Sequence, residues 1–196
     1  LLYILFYIII SNTEMEIPKF IISFLRASPT VSFVIALLLF FITSSDIYLF
    51  LVVLIFLGEM LNNILKHGVF KQVMKKNKWP ILGYGIRPAD SKNSSQFGDI
   101  NLPPRKHTYG MPSGHAQTAL LFATFAIMLI TDYHSSTLPN YIQYVLLYTV
   151  VIFTVSVLWS RIYLKCHTIQ QITVGSVIGG LLGYYGYDFF KKESVL

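Results

Sequence analysis

Three short clusters in this chain combine residue types that suit one kind of chemistry. The first is Gly85-Ile86-Arg87-Pro88, with lysines upstream. The second is Tyr109-Gly110-Met111-Pro112-Ser113-Gly114-His115. The third is Ser160-Arg161, then His167 six positions on, with Gln171 one helical turn later. Together they fit a phosphoryl group. Arg87 and Arg161 can grip phosphate oxygens bidentately and offset the charge of a transition state. Pro112-Ser113-Gly114-His115 reads as the opening of a helix, where free backbone N–H groups and the dipole favour an anion. Gly114 lets the backbone approach closely. Two histidines can divide the work, one attacking phosphorus while the other protonates the leaving oxygen. None of this requires a metal or a cofactor.

The elements that must position these residues are membrane spans. The chain of 196 residues is 54% hydrophobic and 12% charged, whereas soluble domains carry about 25% charged residues. Its charges are clustered and leave long stretches nearly empty. Segments 30–43, 47–65, 115–131, 141–159 and 168–190 are apolar enough to span, and each must be a helix to satisfy its own backbone in lipid. Tyr48, Tyr141, Trp159 and Tyr187 near their ends fit interfacial anchoring. The apolar run at 1–10 is too short to cross; it reads as the tail of a sixth span or the core of a signal sequence. The expected architecture is all-α: one polytopic bundle of five to six spans, a single domain over 1–196 with an N-terminal segment at 1–29. A long polar loop occupies 66–112, with a short amphipathic helix at 69–76. Gly175, Gly179 and Gly183 place a small residue at every fourth position, a ridge on which another membrane helix can pack.

Counting spans tests the site without any motif. If the second span ends on one side, the long loop lies there, the third span starts there, and the fourth returns there. Arg87, Ser113, His115, Arg161 and His167 then share one membrane face.

These clusters resemble the signature of the type 2 phosphatidic acid phosphatase superfamily, K-x6-RP, then PSGH, then SR-x5-H-x3-D, over most of the chain. The resemblance implies a metal-independent phosphatase with His167 as nucleophile and His115 as general acid. Arg87, Ser113, Gly114, Arg161 and a lysine would bind phosphate. Two positions depart from the pattern. Pro80 stands where the first-motif lysine would be, so Lys66 is the expected lysine and Lys78 the alternative. Gln171 replaces the aspartate; it can orient His167 from one turn away but adds no charge. His167-Thr168-x-x-Gln171, with the Tyr-Gly-Met lead-in to the second motif, resembles the dolichyldiphosphatase branch. That implies a polyprenyl diphosphate substrate, with phosphatidic acid or a sphingoid phosphate as the alternative.

Other features have ordinary explanations. Glu59 within a span reads as part of a buried hydrogen-bond cluster with Asn62 and Asn63 as readily as a functional acid. His67, His107 and His134 read as surface histidines. Cys166, the single cysteine, excludes an intrachain disulfide. As His167's sequence neighbour it is poorly placed to be a thiol nucleophile. The net charge of +6 reads as loop bias, so the expected partners are a lipid phosphate and the membrane, with no nucleic acid. A non-catalytic lipid-binding or transport protein on the same fold would have lost a histidine or an arginine, and none is lost. Twelve Lys and Arg from Arg26 to Lys165 fall on the side of the site, against Lys191 and Lys192 on the other. This bias favours a cytoplasmic site, whereas the resembling family implies a lumenal or external one, in the endoplasmic reticulum or another endomembrane. The sequon at Asn93 would report which.

Overall fold

The computed structural model describes residues 18–74, 77–92, 108–133 and 137–193. The run at 1–10, Asn93, His107 and His134 lie outside them. The fold begins with α1 (Lys19–Arg26), an amphipathic helix that turns Ile22, Leu25 and Arg26 inward and Phe20, Ile21 and Phe24 outward. At Ala27 the chain bends by 68° into α2 (Ser28–Thr43), with Pro29 in its first turn, where a missing N–H costs nothing. Ser44 adopts a left-handed φ of 53° and reverses the chain. Then α3 (Asp46–Ile64) returns and continues through a π-helical turn (Leu65–Phe70) into α4 (Lys71–Met74). A small antiparallel hairpin follows, β1 (Lys78–Trp79) against β2 (Gly83–Tyr84). The remaining helices are α5 (Gly114–Met128), α6 (Asn140–Tyr163) and α7 (Ile169–Glu193).

Three stretches, Asp46–Met74, Gly114–Asp132 and Asn140–Tyr163, are long and apolar enough to cross a membrane, and the bent pair α1 and α2 makes a fourth. α7 has the length of a fifth: 25 residues reach about 37 Å at 1.5 Å per residue. Its hydropathy is lowered by Gln171 and by Gly175, Gly179, Gly183 and Gly186, all of which are buried against protein. Every expected span thus falls on a helix.

The core forms where α3, α5 and α7 meet. Ile47, Leu51 and Ile55 pack on Leu121, Phe122 and Phe125, with Tyr187 edge-on to Phe125 at 5.5 Å. The closest helix pair is α5 and α7, and the glycine ridge explains it. A Cβ placed on Gly175, Gly179 or Gly183 would strike the backbone of Ser113, Gln117 or Leu121, respectively. The two helices therefore touch backbone to backbone, as small residues permit in lipid. A polar rung joins α3 to α5. The Asn62 amide donates to Gln117 Oε1 at 2.9 Å, the Gln117 amide donates to the Gly58 carbonyl at 2.7 Å, and the Thr118 hydroxyl donates to Glu59.

Some expectations change. Glu59 and Asn62 join the buried cluster, but Asn63 is exposed and stays outside it. Tyr48 and Tyr187 are buried rather than interfacial; the Tyr187 hydroxyl donates to Asp132, which also pairs with Lys191. The loop expected from 66 starts later, because the helix runs on to Met74. The helix expected at 69–76 is the end of that continuous segment, as far as Met74. The hairpin was not foreseen, since strands of two residues carry no periodicity.

Gly179→Ala should lower stability by about 1–3 kcal/mol or more, because its Cβ meets backbone rather than a movable side chain. Gly180→Ala, whose nearest neighbour is Thr124 Oγ1 at 3.8 Å, should be neutral or slightly stabilising. Thermal unfolding of the two variants in detergent measures the difference.

Candidate active site

His167 is placed by the way α6 ends. Leu164 caps the helix, Lys165 takes a left-handed φ of 51°, and the Cys166 amide donates back to the Arg161 carbonyl at 3.0 Å. A left-handed residue just past a helix end is a common stop, and here it turns the chain so that His167 points inward, 5% exposed. α7 then opens with a reciprocal cap. The Gln171 amide N–H donates to Thr168 Oγ1 at 3.3 Å, and Thr168 N–H donates to Gln171 Oε1 at 3.4 Å. This is the capping box, a Thr followed three residues later by Gln; Thr168-x-x-Gln171 states it in the sequence, where its capping role went unread.

The same Gln171 Oε1 lies 3.1 Å from His167 Nδ1. Which end of the amide faces the ring follows from the other end. Gln171 Nε2 donates to the carbonyls of Tyr84 and Ile86, each at 2.9 Å. Only an NH2 group satisfies two acceptors, so the oxygen faces His167 and Nδ1 carries the proton. Nε2 of His167 is then the ring nitrogen with the free lone pair. Burial, then the nearby Arg87 cation, holds the imidazole well below the usual histidine range, so it is neutral and able to attack.

Gln171 also ties the first and second clusters together. Its side chain holds the segment at 84–86, and its carbonyl accepts the Ser113 N–H at 3.1 Å. Gly110 N–H donates to the Gly85 carbonyl at 2.8 Å, and Arg87 N–H donates to that of Thr108 at 3.0 Å. Any Cβ at Gly110 would collide with Gln171 Oε1, which is why this position is glycine. Arg87 is half-buried, and burial lowers its guanidinium from the usual range, yet an arginine remains charged at neutral pH.

Ser113 is the N-cap of α5 in an extended conformation, with no side-chain cap bond. Its hydroxyl is buried and has no protein partner among the described residues. Arg161 is fully buried. Its Nε and Nη2 donate to Ser160 Oγ at 3.0 and 2.9 Å, and Nη2 also reaches the Leu25 carbonyl at 3.4 Å. Nη1 is buried without a partner. A buried N–H of a guanidinium left in this state costs free energy unless an anion meets it. His115 Nε2 lies 2.9 Å from the Arg26 carbonyl. That acceptor takes the Nε2 proton and leaves Nδ1 as the other reactive ring atom.

Lys66 sits in the π-helical turn, half-buried, within the electrostatic reach of Arg87, Glu59 and both histidines. Lys78 is exposed on β1. The fold therefore brings Lys66, Arg87, Ser113, Gly114, His115, Arg161, His167 and Gln171 to one end of the bundle, and leaves Lys78 outside. Cys166 is buried with its thiol directed at the carbonyls of Lys92 and Leu164. Burial pushes that thiol up, so it is no thiolate. His67 is exposed. Among the described residues no three His, Cys, Asp or Glu side chains converge. A groove of about 1060 Å³ runs from His167 between α6 and α7, lined by Ile81, Leu82, Ile162, Tyr163, Ile169 and Val174.

Sequence reasoning missed the contribution of α1. Its last two carbonyls, from Leu25 and Arg26, hold Arg161 and His115. The bend at Ala27 frees them, and an amphipathic stretch of eight residues before a proline was the available signal.

A membrane-embedded helical bundle with a buried and a half-buried histidine, two arginines and a helix N-terminus at one end defines a class of phosphoryl-transfer protein. The chain belongs to the PAP2 superfamily, whose family profile matches residues 47–194. It is similar to dolichyldiphosphatase 1 of Dictyostelium discoideum, 34% identical over 92 residues. That match covers 44% of this chain and 38% of the relative, well under half the relative's length. In fold it is similar to the transmembrane PAP2-type phosphatidylglycerolphosphate phosphatase of Bacillus subtilis. The TM-score is 0.59 over 97% of this chain and 94% of that one, at 18% identity.

Gln171→Glu keeps the length and the acceptor for His167 but sets an oxygen against the carbonyls of Tyr84 and Ile86. It should cost about 1–3 kcal/mol of stability. Turnover should fall with it, read by thermal unfolding and phosphate release. Unchanged unfolding temperature and turnover would mean that the amide contacts carry no weight.

Proposed function

We propose that this protein is a metal-independent lipid phosphatase that hydrolyses a polyprenyl diphosphate through a phosphohistidine on His167. The observation that supports the reading is the Gln171 contact, whose oxygen accepts the Nδ1–H of His167 and leaves Nε2 with its lone pair, within the electrostatic reach of Arg87, Lys66 and His115. In the first step the Nε2 lone pair forms an N–P bond as the P–O bond to the leaving group breaks. The electron pair goes to the leaving oxygen, which takes the Nδ1 proton of His115, the ring acting as an imidazolium that the bound phosphate anion favours while Nε2–H stays on the Arg26 carbonyl. In the second, water gives a proton to His115 while its oxygen bonds to phosphorus, and the N–P electrons return to His167. Arg87, Arg161, Lys66, the Ser113 hydroxyl and the N–H groups at the start of α5 hold the phosphate oxygens. The site lies at the ends of spans, at the depth of a lipid headgroup. The polyprenyl preference rests on Gln171 and on the partial likeness to dolichyldiphosphatase 1.

Purified protein should release phosphate from a polyprenyl diphosphate with chelator present, and His167→Ala should abolish release. Labelled substrate should leave on the wild-type chain a phosphate that is stable to base and lost in acid. A requirement for added metal would overturn the mechanism. Lys66→Ala should lower kcat/KM by at least about tenfold while Lys78→Ala leaves it near wild type, as a charge-assisted contact to phosphate implies.

The depressed pKa of His167 has a defined sign. The imidazole stays neutral as pH falls below its ordinary value of 6.5. The acid limb of kcat/KM should therefore lie below pH 6.5; a limb at or above it would mean that His167 is not the attacking base.

A further inference from the structure

The hairpin of β1 and β2 contributes nothing to the phosphate site, yet it is fastened to it. It falls between Lys66 and Arg87, in a stretch longer than the spacing of the first motif. At its root the carbonyls of Tyr84 and Ile86 accept from the Gln171 amide. At Gly83 the backbone takes a φ of 70°, and a Cβ there would stand 3.6 Å from the Gln170 side chain. Two neighbouring glutamines of α7 thus set the hairpin relative to His167. Its turn carries Ile81, 86% exposed, and the half-buried Leu82.

A lone exposed isoleucine is ordinary, but this one lines the groove that opens beside His167, and so does Leu82. The other walls are Ile162 and Tyr163 at the end of α6, and Ile169, Thr173 and Val174 on α7. These walls are braced. Tyr163 stacks on Trp159 at 5.0 Å, and Lys165 pairs with Asp90 at 2.8 Å, joining the end of α6 to the segment after Pro88. From Ile169 to Val174 the groove follows α7 into its span for about 7.5 Å, at 1.5 Å per residue. Its volume of about 1060 Å³ lies at the upper end of clefts that enclose small ligands, roughly 300–1,000 Å³.

A lipid phosphate that reaches His167, itself 5% exposed, must lift the first carbons of its chain out of the hydrocarbon layer. Those carbons then stand at the polar end of the bundle. Deep in a bilayer an apolar wall gains little over lipid tails. At this end it replaces water, and the gain follows the apolar area covered. Continuity with His167 names the occupant, since a chain joined to a phosphate there enters the groove directly. We propose that the groove seats the hydrocarbon segment next to the substrate phosphate, with Ile81 and Leu82 as its outer wall, so that the hairpin sets the preference for long-chain substrates. This rests on the phosphatase reading above.

The test compares farnesyl diphosphate with dimethylallyl diphosphate, the same reacting group on a long and a short chain, using purified protein in detergent. Wild type should favour the farnesyl substrate in kcat/KM by about tenfold or more. In the double variant Ile81→Ser, Leu82→Ser that ratio should fall at least about fivefold, chiefly through KM. Ile42→Ser, at an exposed position near the far end of α2, should leave it unmoved. Equal loss on both substrates, an unmoved ratio in the double variant, or the same fall in Ile42→Ser overturns the groove and leaves the phosphatase reading intact. No chain preference in wild type means that ordinary lipid or detergent fills the groove, and overturns it too. Release from neither substrate by wild type overturns the diphosphatase reading, and this proposal with it. Should the double variant fail to fold, Thr173→Trp decides. Filling the groove from this exposed position on α7 must lower the ratio, and an unmoved ratio sinks the proposal.

Discussion

The side-chain amide of Gln171 is where the three clusters meet. Its oxygen accepts from His167 and its nitrogen donates to the carbonyls of Tyr84 and Ile86. Its backbone carbonyl takes the Ser113 N–H. An aspartate at this position would add charge to the histidine. It would also be too short to span both partners and would set oxygen against oxygen at the strand. The glutamine exchanges an electrostatic contribution to His167 for a rigid joint between that histidine and the segment leading to Arg87. Gly110 follows from the same joint, because the space its Cβ would need is filled by the amide.

That joint works only if α7 is pressed against α5, and the glycine ridge provides this. In lipid there is little hydrophobic force between helices, so close packing of backbone must supply the association. Gly175 touches Ser113 itself. The contact that holds the bundle is therefore continuous with the one that sets the start of α5 beside Gln171. The polar rung of Asn62, Gln117, Glu59 and Thr118 does the same for α3 and brings the turn carrying Lys66 alongside.

Burying several cations at one end of a membrane bundle carries a desolvation cost that only an anion and well-placed acceptors offset. The structure supplies acceptors from the backbone: the Leu25 and Arg26 carbonyls, freed where α1 breaks from α2, and the Ser160 hydroxyl. Arg161 keeps Nη1 without a protein acceptor. Such a residue is held in place, yet retains an uncommitted donor.

Much of this was legible in the residues themselves. The spans follow from hydropathy, since lipid leaves helices as the only option. The face shared by Arg87, Ser113, His115, Arg161 and His167 follows from counting crossings. The glycine ridge follows from its four-residue period. The tertiary structure decided what depends on contacts between distant segments. Lys66 rather than Lys78 reaches the cluster because the helix runs on through a π turn, which no periodicity announces. The Arg26 carbonyl reaches His115 because Ile22 and Leu25 of α1 pack against Leu164 and Val157. The tautomer of His167 depends on two carbonyls more than eighty residues away. Local chemistry determined which residues could act, because motif spacing and hydropathy are properties of neighbours in the chain. Which of them do meet, and which nitrogen of His167 keeps its lone pair, was decided by packing between segments that are distant in sequence.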